Sequence, residues 1–141
     1  MTRVLTVSAD GTRLYTFTSD TDLGEIDSSS LALLNSIPIV SPVFGAVDSL
    51  VYSKAQNAVY VTSYNSTDVT GFLYRVDLAT FTITAQQSLT TEPLDVAVTP
   101  DGSAVYVASH QYPVGVFDGS TLAQTGTVNV GPTFSVVCGP F

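Results

Sequence analysis

"EPLDVAVTPDGSAVYVASH", from Glu92 to His110, holds two short apolar alternations joined by Pro100-Asp101-Gly102. Alternation puts one side of a strand inward and the other outward, and Pro-Asp-Gly supplies the φ values of a tight turn. The stretch therefore predicts a hairpin. It is also said more than once. Aligned on Tyr15, Tyr60 and Tyr106, the chain reads "DGTRLYTFTS", "AQNAVYVTSY" and "DGSAVYVASH", spaced by 45 and 46 residues. Further on stand "IDSSSLALL", "VDLATFTIT" and "FDGSTLAQT", with Asp at 27, 77 and 118 and Leu31, Phe81 and Leu122 four residues later. A short apolar run precedes each Tyr segment: "VLTVSADG", "SLVYSKAQ" and "DVAVTPDG". Pro42 and Pro93 precede two of these runs, and Pro132 opens "PTFSVVC".

Each unit reads as four short strands. The first ends at a tight turn, the third at an Asp-led turn, and the fourth at Pro or Gly. No segment has a sustained helical period with a cap. A four-stranded unit recurring at this length is the mark of a β-propeller blade, because one such sheet cannot cover both of its own faces and stacks on its neighbours. A β-sandwich also has short strands between turns, but it does not ask for the same Asp and Tyr at the same place three times. The expected fold is all-β: a β-propeller of three four-stranded antiparallel blades, an incomplete ring or one subunit of an oligomeric ring. The repeats span about 4–42, 47–92 and 93–131, with a partial fourth-blade strand over 132–141.

Composition agrees. Over 141 residues, 45% are hydrophobic and 11% charged, Ser and Thr make roughly a quarter, and there are seven Tyr and seven Phe. Such residues suit pleated, half-buried surfaces. The net charge is -8, and the four cations Arg3, Arg13, Lys54 and Arg75 are scattered. Nucleic-acid binding needs a clustered cationic footprint, and an anionic bilayer would repel this chain. No run approaches the roughly 18 apolar residues of a membrane span. "MTRVLTVSADG" lacks the apolar core of a signal peptide, so either the protein stays inside or an exported form lost its leader. Asn65-Ser66-Thr67 fits a glycosylation sequon, which matters only in a secretory pathway. Cys138, the only cysteine, sits in "FSVVC" and reads as a small buried hydrophobe.

These motifs resemble the YVTN-type β-propeller repeat family. The third unit carries the resemblance best, in Pro93-Leu94-Asp95-Val96-Ala97-Val98, Pro100-Asp101-Gly102, Val105-Tyr106-Val107-Ala108 and Val116-Phe117-Asp118 with Thr121. The middle unit matches at Val59-Tyr60-Val61-Thr62 and Val76-Asp77-Leu78-Ala79-Thr80, without the Asp-Gly turn. The first matches at Ala9-Asp10-Gly11, Leu14-Tyr15 and Ile26-Asp27. The resemblance implies cell-surface repeat proteins or relatives of seven-bladed lactonases, and no shared catalytic motif. Complete propellers have roughly 4 to 8 blades. Three would leave two blade faces open, as a fragment of a longer propeller or as copies that close a ring. The partners expected are thus further blades or copies of the chain itself.

Alternating strands put the loops after strands two and four on one face and the tight turns on the other. The first face collects Asp20, Asp22, Asn65, Asp68, His110 and Tyr112, with Asp48, Glu92 and Asp95 near the channel mouth. The turn face collects Asp10, Asp77, Asp101 and Asp118, read as side chains bonding their own backbone. Tyr15, Tyr60 and Tyr106 read as packing between blades, each hydroxyl seeking a partner. His110, the only histidine, has the chemistry of a general base or metal ligand, though a lone loop histidine is usually just solvated. Asp48, Glu92 and Asp95 are the oxygen ligands a divalent cation would use; otherwise no cofactor is expected. No G-x-S-x-G, Gly-rich phosphate loop or paired His spacing occurs. The expected function is a non-catalytic binding or scaffold module, of the surface or secreted, presenting loops for protein or carbohydrate recognition with candidate ligand residues Asp48, Glu92, Asp95, His110 and Tyr112. The alternative is a fragment or subunit of a lactonase-like hydrolase with a carboxylate and cation site in the channel.

Overall fold

Among the described residues, twelve strands, short and joined mostly by turns, make up the fold. The computed structural model describes residues 4–39, 46–67, 69–110 and 113–129. The first sheet holds β1 (Leu5–Val7), β2 (Arg13–Phe17), β3 (Asp22–Asp27) and β4 (Leu33–Pro38). The second holds β5 (Ala46–Ser53), β6 (Ala58–Asn65), β7 (Thr70–Asp77) and β8 (Thr82–Leu89). The third holds β9 (Pro93–Val98), β10 (Ala104–Ser109), β11 (Val114–Asp118) and β12 (Gln124–Val128). Each sheet is antiparallel, with its strands in chain order from one edge to the other. The expected three four-stranded blades are therefore present. The partial fourth strand over 132–141, with Cys138 and Pro132, lies outside the described residues, as does Pro42.

The turns form for the reasons the sequence suggested. Asp10 Oδ1 accepts the Thr12 N–H at 3.0 Å and the Ser8 hydroxyl at 2.6 Å. Asp101 Oδ1 accepts the Ser103 N–H at 3.0 Å and the Thr99 hydroxyl at 2.6 Å. The glycine that follows each adopts positive φ: Gly11 at 73° and Gly102 at 72°. The middle blade, which lacks Asp-Gly, places Asn57 at a φ of 44° instead. Asn tolerates that region through local hydrogen bonding.

The third strand of each blade ends in a second repeated device. Asp27 Oδ1 accepts the N–H groups of Ser29 and Ser30, Asp77 Oδ1 those of Ala79 and Thr80, and Asp118 Oδ1 those of Ser120 and Thr121. The turn then closes with Leu31, Phe81 and Leu122 at φ values of 58°, 52° and 62°. An apolar side chain rarely adopts this conformation. Burial accounts for it in two blades, where Phe81 and Leu122 enter the space between sheets.

Stacking of the sheets makes the core. Tyr15, Phe17 and Leu23 of the first blade meet Leu50, Val59, Val61, Val76 and Phe81 of the second. Tyr60 and Leu73 of the second meet Val96, Val105, Val107, Phe117 and Leu122 of the third. The first strands β1, β5 and β9 adjoin in that order, while the fourth strands β4, β8 and β12 stay largely exposed. β6, central in the central blade, is buried over six of its eight residues because both its faces are covered.

Two of the three repeated tyrosines join blades. The Tyr60 hydroxyl donates to Gly119 O at 2.5 Å, across 59 residues of chain. Tyr15 stacks on Tyr52 with ring centroids 5.9 Å apart and reaches Glu25 Oε1 at 3.5 Å. Tyr106, on the last blade, is only half-buried.

Candidate functional site

Backbone geometry carries Asp48 to the first-face end of the inner strands. The β5–β6 register skips between Val47 and Ser49, and Asp48 is the residue left over. A bulge of this kind re-aims a side chain. Asp48 Oδ2 is buried without a hydrogen-bond partner. Burial pushes its carboxyl up to about 7, and the nearby Glu92 charge adds to the push. Glu92 immediately precedes β9, and its carbonyl accepts the His110 N–H at 2.9 Å. Asp95, on β9, faces the neighbouring blade: its Oδ1 accepts the Ser49 hydroxyl at 2.8 Å and the Val96 N–H at 2.9 Å.

The structure thus brings Asp48 and Glu92 within electrostatic reach and assigns Asp95 to a bond between β5 and β9. His110 is exposed at the end of β10. Tyr112 and Asp68 lie outside the described residues. Among the described residues, no three His, Cys, Asp or Glu side chains form a set that could hold a metal ion.

Beside these loops lies a cleft of about 220 Å³. One wall is the end of β8 with Thr90 and Thr91, where the chain passes from blade two to blade three. Ser109, Gln124 and Thr127 stand opposite, over Val107 and Phe117. Among the described residues, no charged side chain lines it. Gly115 makes room at its base, since a Cβ there would strike the Phe117 ring. Hydroxyls and an amide above apolar side chains suit an uncharged, hydroxylated ligand.

The opposite face carries a groove of about 290 Å³ between the first two blades, lined by Asp10, Arg13, Tyr15, Tyr52 and Lys54 among others. Arg13 is already engaged there, 2.9 Å from Asp27 Oδ2 and 3.6 Å from Glu25 Oε1. The turn aspartates are held low. Asp10 and Asp101 are each brought to about 2, chiefly by the hydroxyls of Ser8 and Thr99. Asp27, Asp77 and Asp118 are lowered as well, Asp27 chiefly by the Ser29 hydroxyl and the others chiefly by backbone N–H groups. All five serve the turns: Asp10, Asp77, Asp101 and Asp118 as read from the sequence, and Asp27 with them.

Sequence reasoning did not find the cleft. Thr90, Ser109 and Gln124 carry no motif, and only the stacking angle of two blades brings them together. The bulge at Asp48 falls where "VDSLVYS" breaks alternation, with Asp48 and Ser49 consecutive polar residues, a mark that was not read as a bulge.

No protein-family model and no curated protein matches the chain. Solved structures do match: 756 chains are similar. One, titled Kuenenia stuttgartiensis Hydrazine Synthase, aligns with a TM-score of 0.77 at 15% identity, over 94% of this chain and 37% of that one. The present chain thus spans little more than a third of that chain's length. At this identity the likeness speaks for the blade architecture alone.

Proposed function

We propose that the chain is a non-catalytic binding or scaffold module of YVTN-type blades, of the cell surface or secreted, that presents its first-face loops for protein or carbohydrate recognition. The repeated Tyr segments, the Asp-led turns and the Thr- and Ser-rich surface support the repeat assignment. One observation carries the binding reading: the uncharged, hydroxyl-lined cleft where the loops of blades two and three converge. Hydroxyl and amide groups exchange hydrogen bonds with a sugar, while Val107 and Phe117 offer an apolar floor to its C–H face. Rigid blades hold these groups in place, and variation in the loops changes the ligand without touching the scaffold.

The test is a binding screen of the folded chain on neutral glycans and candidate proteins, repeated with Thr90→Ala plus Gln124→Ala. A ligand lost in this double variant, and kept when Lys54 and Asn57 on the opposite face are replaced by Ala, supports the reading. Binding that survives the cleft variant and also survives His110→Ala removes it.

A further inference from the structure

The interface between blades occurs twice within the chain, built from the same positions. In each case a receiving face takes the preceding blade's tyrosine strand. The second blade receives with Leu50, Tyr52, Val59, Val76 and Phe81, and the third with Val96, Val98, Val105, Phe117 and Leu122. Strand registers place the equivalent set of the first blade at Leu5, Val7, Leu14, Ile26 and Leu31. Nothing within the described residues covers that face. Leu5 is 58% exposed where Leu50 is 5% and Val96 is 4%; Leu31 is 71% exposed where Phe81 is 7% and Leu122 is 0%. Leu31 also holds the same positive φ as its two buried counterparts. Backbone strain of this kind persists when the surroundings enforce it, and here the burial that repays it in the other blades is missing.

The same chain carries the complementary face. Tyr106 on β10 corresponds to Tyr15 and Tyr60 and is half-buried, with Val116 half-buried opposite it on β11. We propose that the first-blade face Leu5–Val7–Leu14–Ile26–Leu31 is a docking surface for the Tyr106 strand of a second copy of this chain, head to tail. The Tyr106 hydroxyl would then reach the Ser28 carbonyl, which follows Asp27 as Gly119 follows Asp118 in the Tyr60 bond. The described residues of two copies supply six blades, within the roughly 4 to 8 that close a ring. The two contacting faces differ, so the interface is heterologous and each copy offers one of each. The proposal goes beyond the ligand reading and stands whether or not the cleft binds anything.

The test is sedimentation of the full 141-residue chain, with Leu31→Asp, Leu5→Lys and Tyr106→Asp variants checked for retained strand content by circular dichroism. The wild-type chain is expected at twice the monomer mass or above. Leu31→Asp and Leu5→Lys, both at exposed positions, are expected to be monomers. So is Tyr106→Asp. An equal mixture of Leu31→Asp and Tyr106→Asp is expected to recover a two-copy species, because each variant supplies the face the other has lost. A monomeric wild-type chain assigns the face to another occupant and overturns the proposal. Association unchanged by Leu31→Asp and Leu5→Lys, or monomeric variants that fail to pair when mixed, overturns it equally.

Discussion

Asp48 is a carboxyl that the fold holds against its own chemistry. It sits at a bulge, keeps Oδ2 from any hydrogen-bond partner and feels the Glu92 charge. Its folded value of about 7 lies above the ordinary 3.8, so the folded chain binds its proton more tightly than the unfolded chain does. The stability this contributes is present below about pH 4 and is lost as pH rises through about 7. The turn aspartates act with the opposite sign. Asp10 and Asp101 sit at about 2 when folded, and their contribution is present above 3.8 and lost as pH falls through 2. The melting temperature is therefore expected to peak between about pH 4 and 5 and to fall toward pH 8. Asp48→Asn should flatten the upper limb in a calorimetric series; an unchanged slope would assign the dependence elsewhere. Tyr60 offers a second test. Tyr60→Phe removes the donor to the buried Gly119 carbonyl, at a cost of about 1 to 3 kcal/mol. Urea unfolding should show a lower midpoint at unchanged slope. The roles of Tyr60 and of the turn aspartates were legible in the sequence, because the same residue stood at the same place in successive repeats. Asp48 was legible only as a carboxylate near the channel, since the break in alternation at Asp48-Ser49 does not by itself say which side chain a bulge re-aims.

The third-strand turn is the element that most distinguishes these blades. It combines an Asp that gathers two N–H groups, a bulge between the third and fourth strands, and an apolar residue at positive φ. The bulge falls at Glu25/Ile26, Arg75/Val76 and Val116/Phe117, one position before or at the residue that precedes each Asp. The repeat of Leu31, Phe81 and Leu122 four residues after Asp was visible in the sequence, but their left-handed backbone was not. Propensity argues against it; in the second and third blades the space between sheets repays it, whereas Leu31 adopts it while exposed. The same turn should therefore respond differently in different blades. Leu122→Ala opens a hole in a fully buried site and is expected to cost about 2 to 5 kcal/mol. Leu31→Ala removes a side chain that is 71% exposed, and in dilute monomer its effect is expected to stay within about 0.5 kcal/mol. Paired unfolding curves check both, and equal losses would mean that the two turns are not distinguished by what covers them.

At the scale of the molecule, the central claim is that the blades stack in chain order, each laying its tyrosine strand on the next. The three-fold recurrence in the sequence shows why such stacking is needed: one four-stranded sheet has two apolar sides and no helix to cover either. What recurrence does not disclose is the angle between neighbours, and with it the cleft over Val107 and Phe117, whose walls come from two different blades. The most direct measurement is a set of nuclear Overhauser contacts in the folded chain. Tyr60 ring protons are expected to see the α protons of Gly119, and Tyr15 ring protons those of the Tyr52 ring. Tyr60 in contact with residues of the first blade instead, or Tyr15 without Tyr52, would contradict the stacking and every face assigned from it.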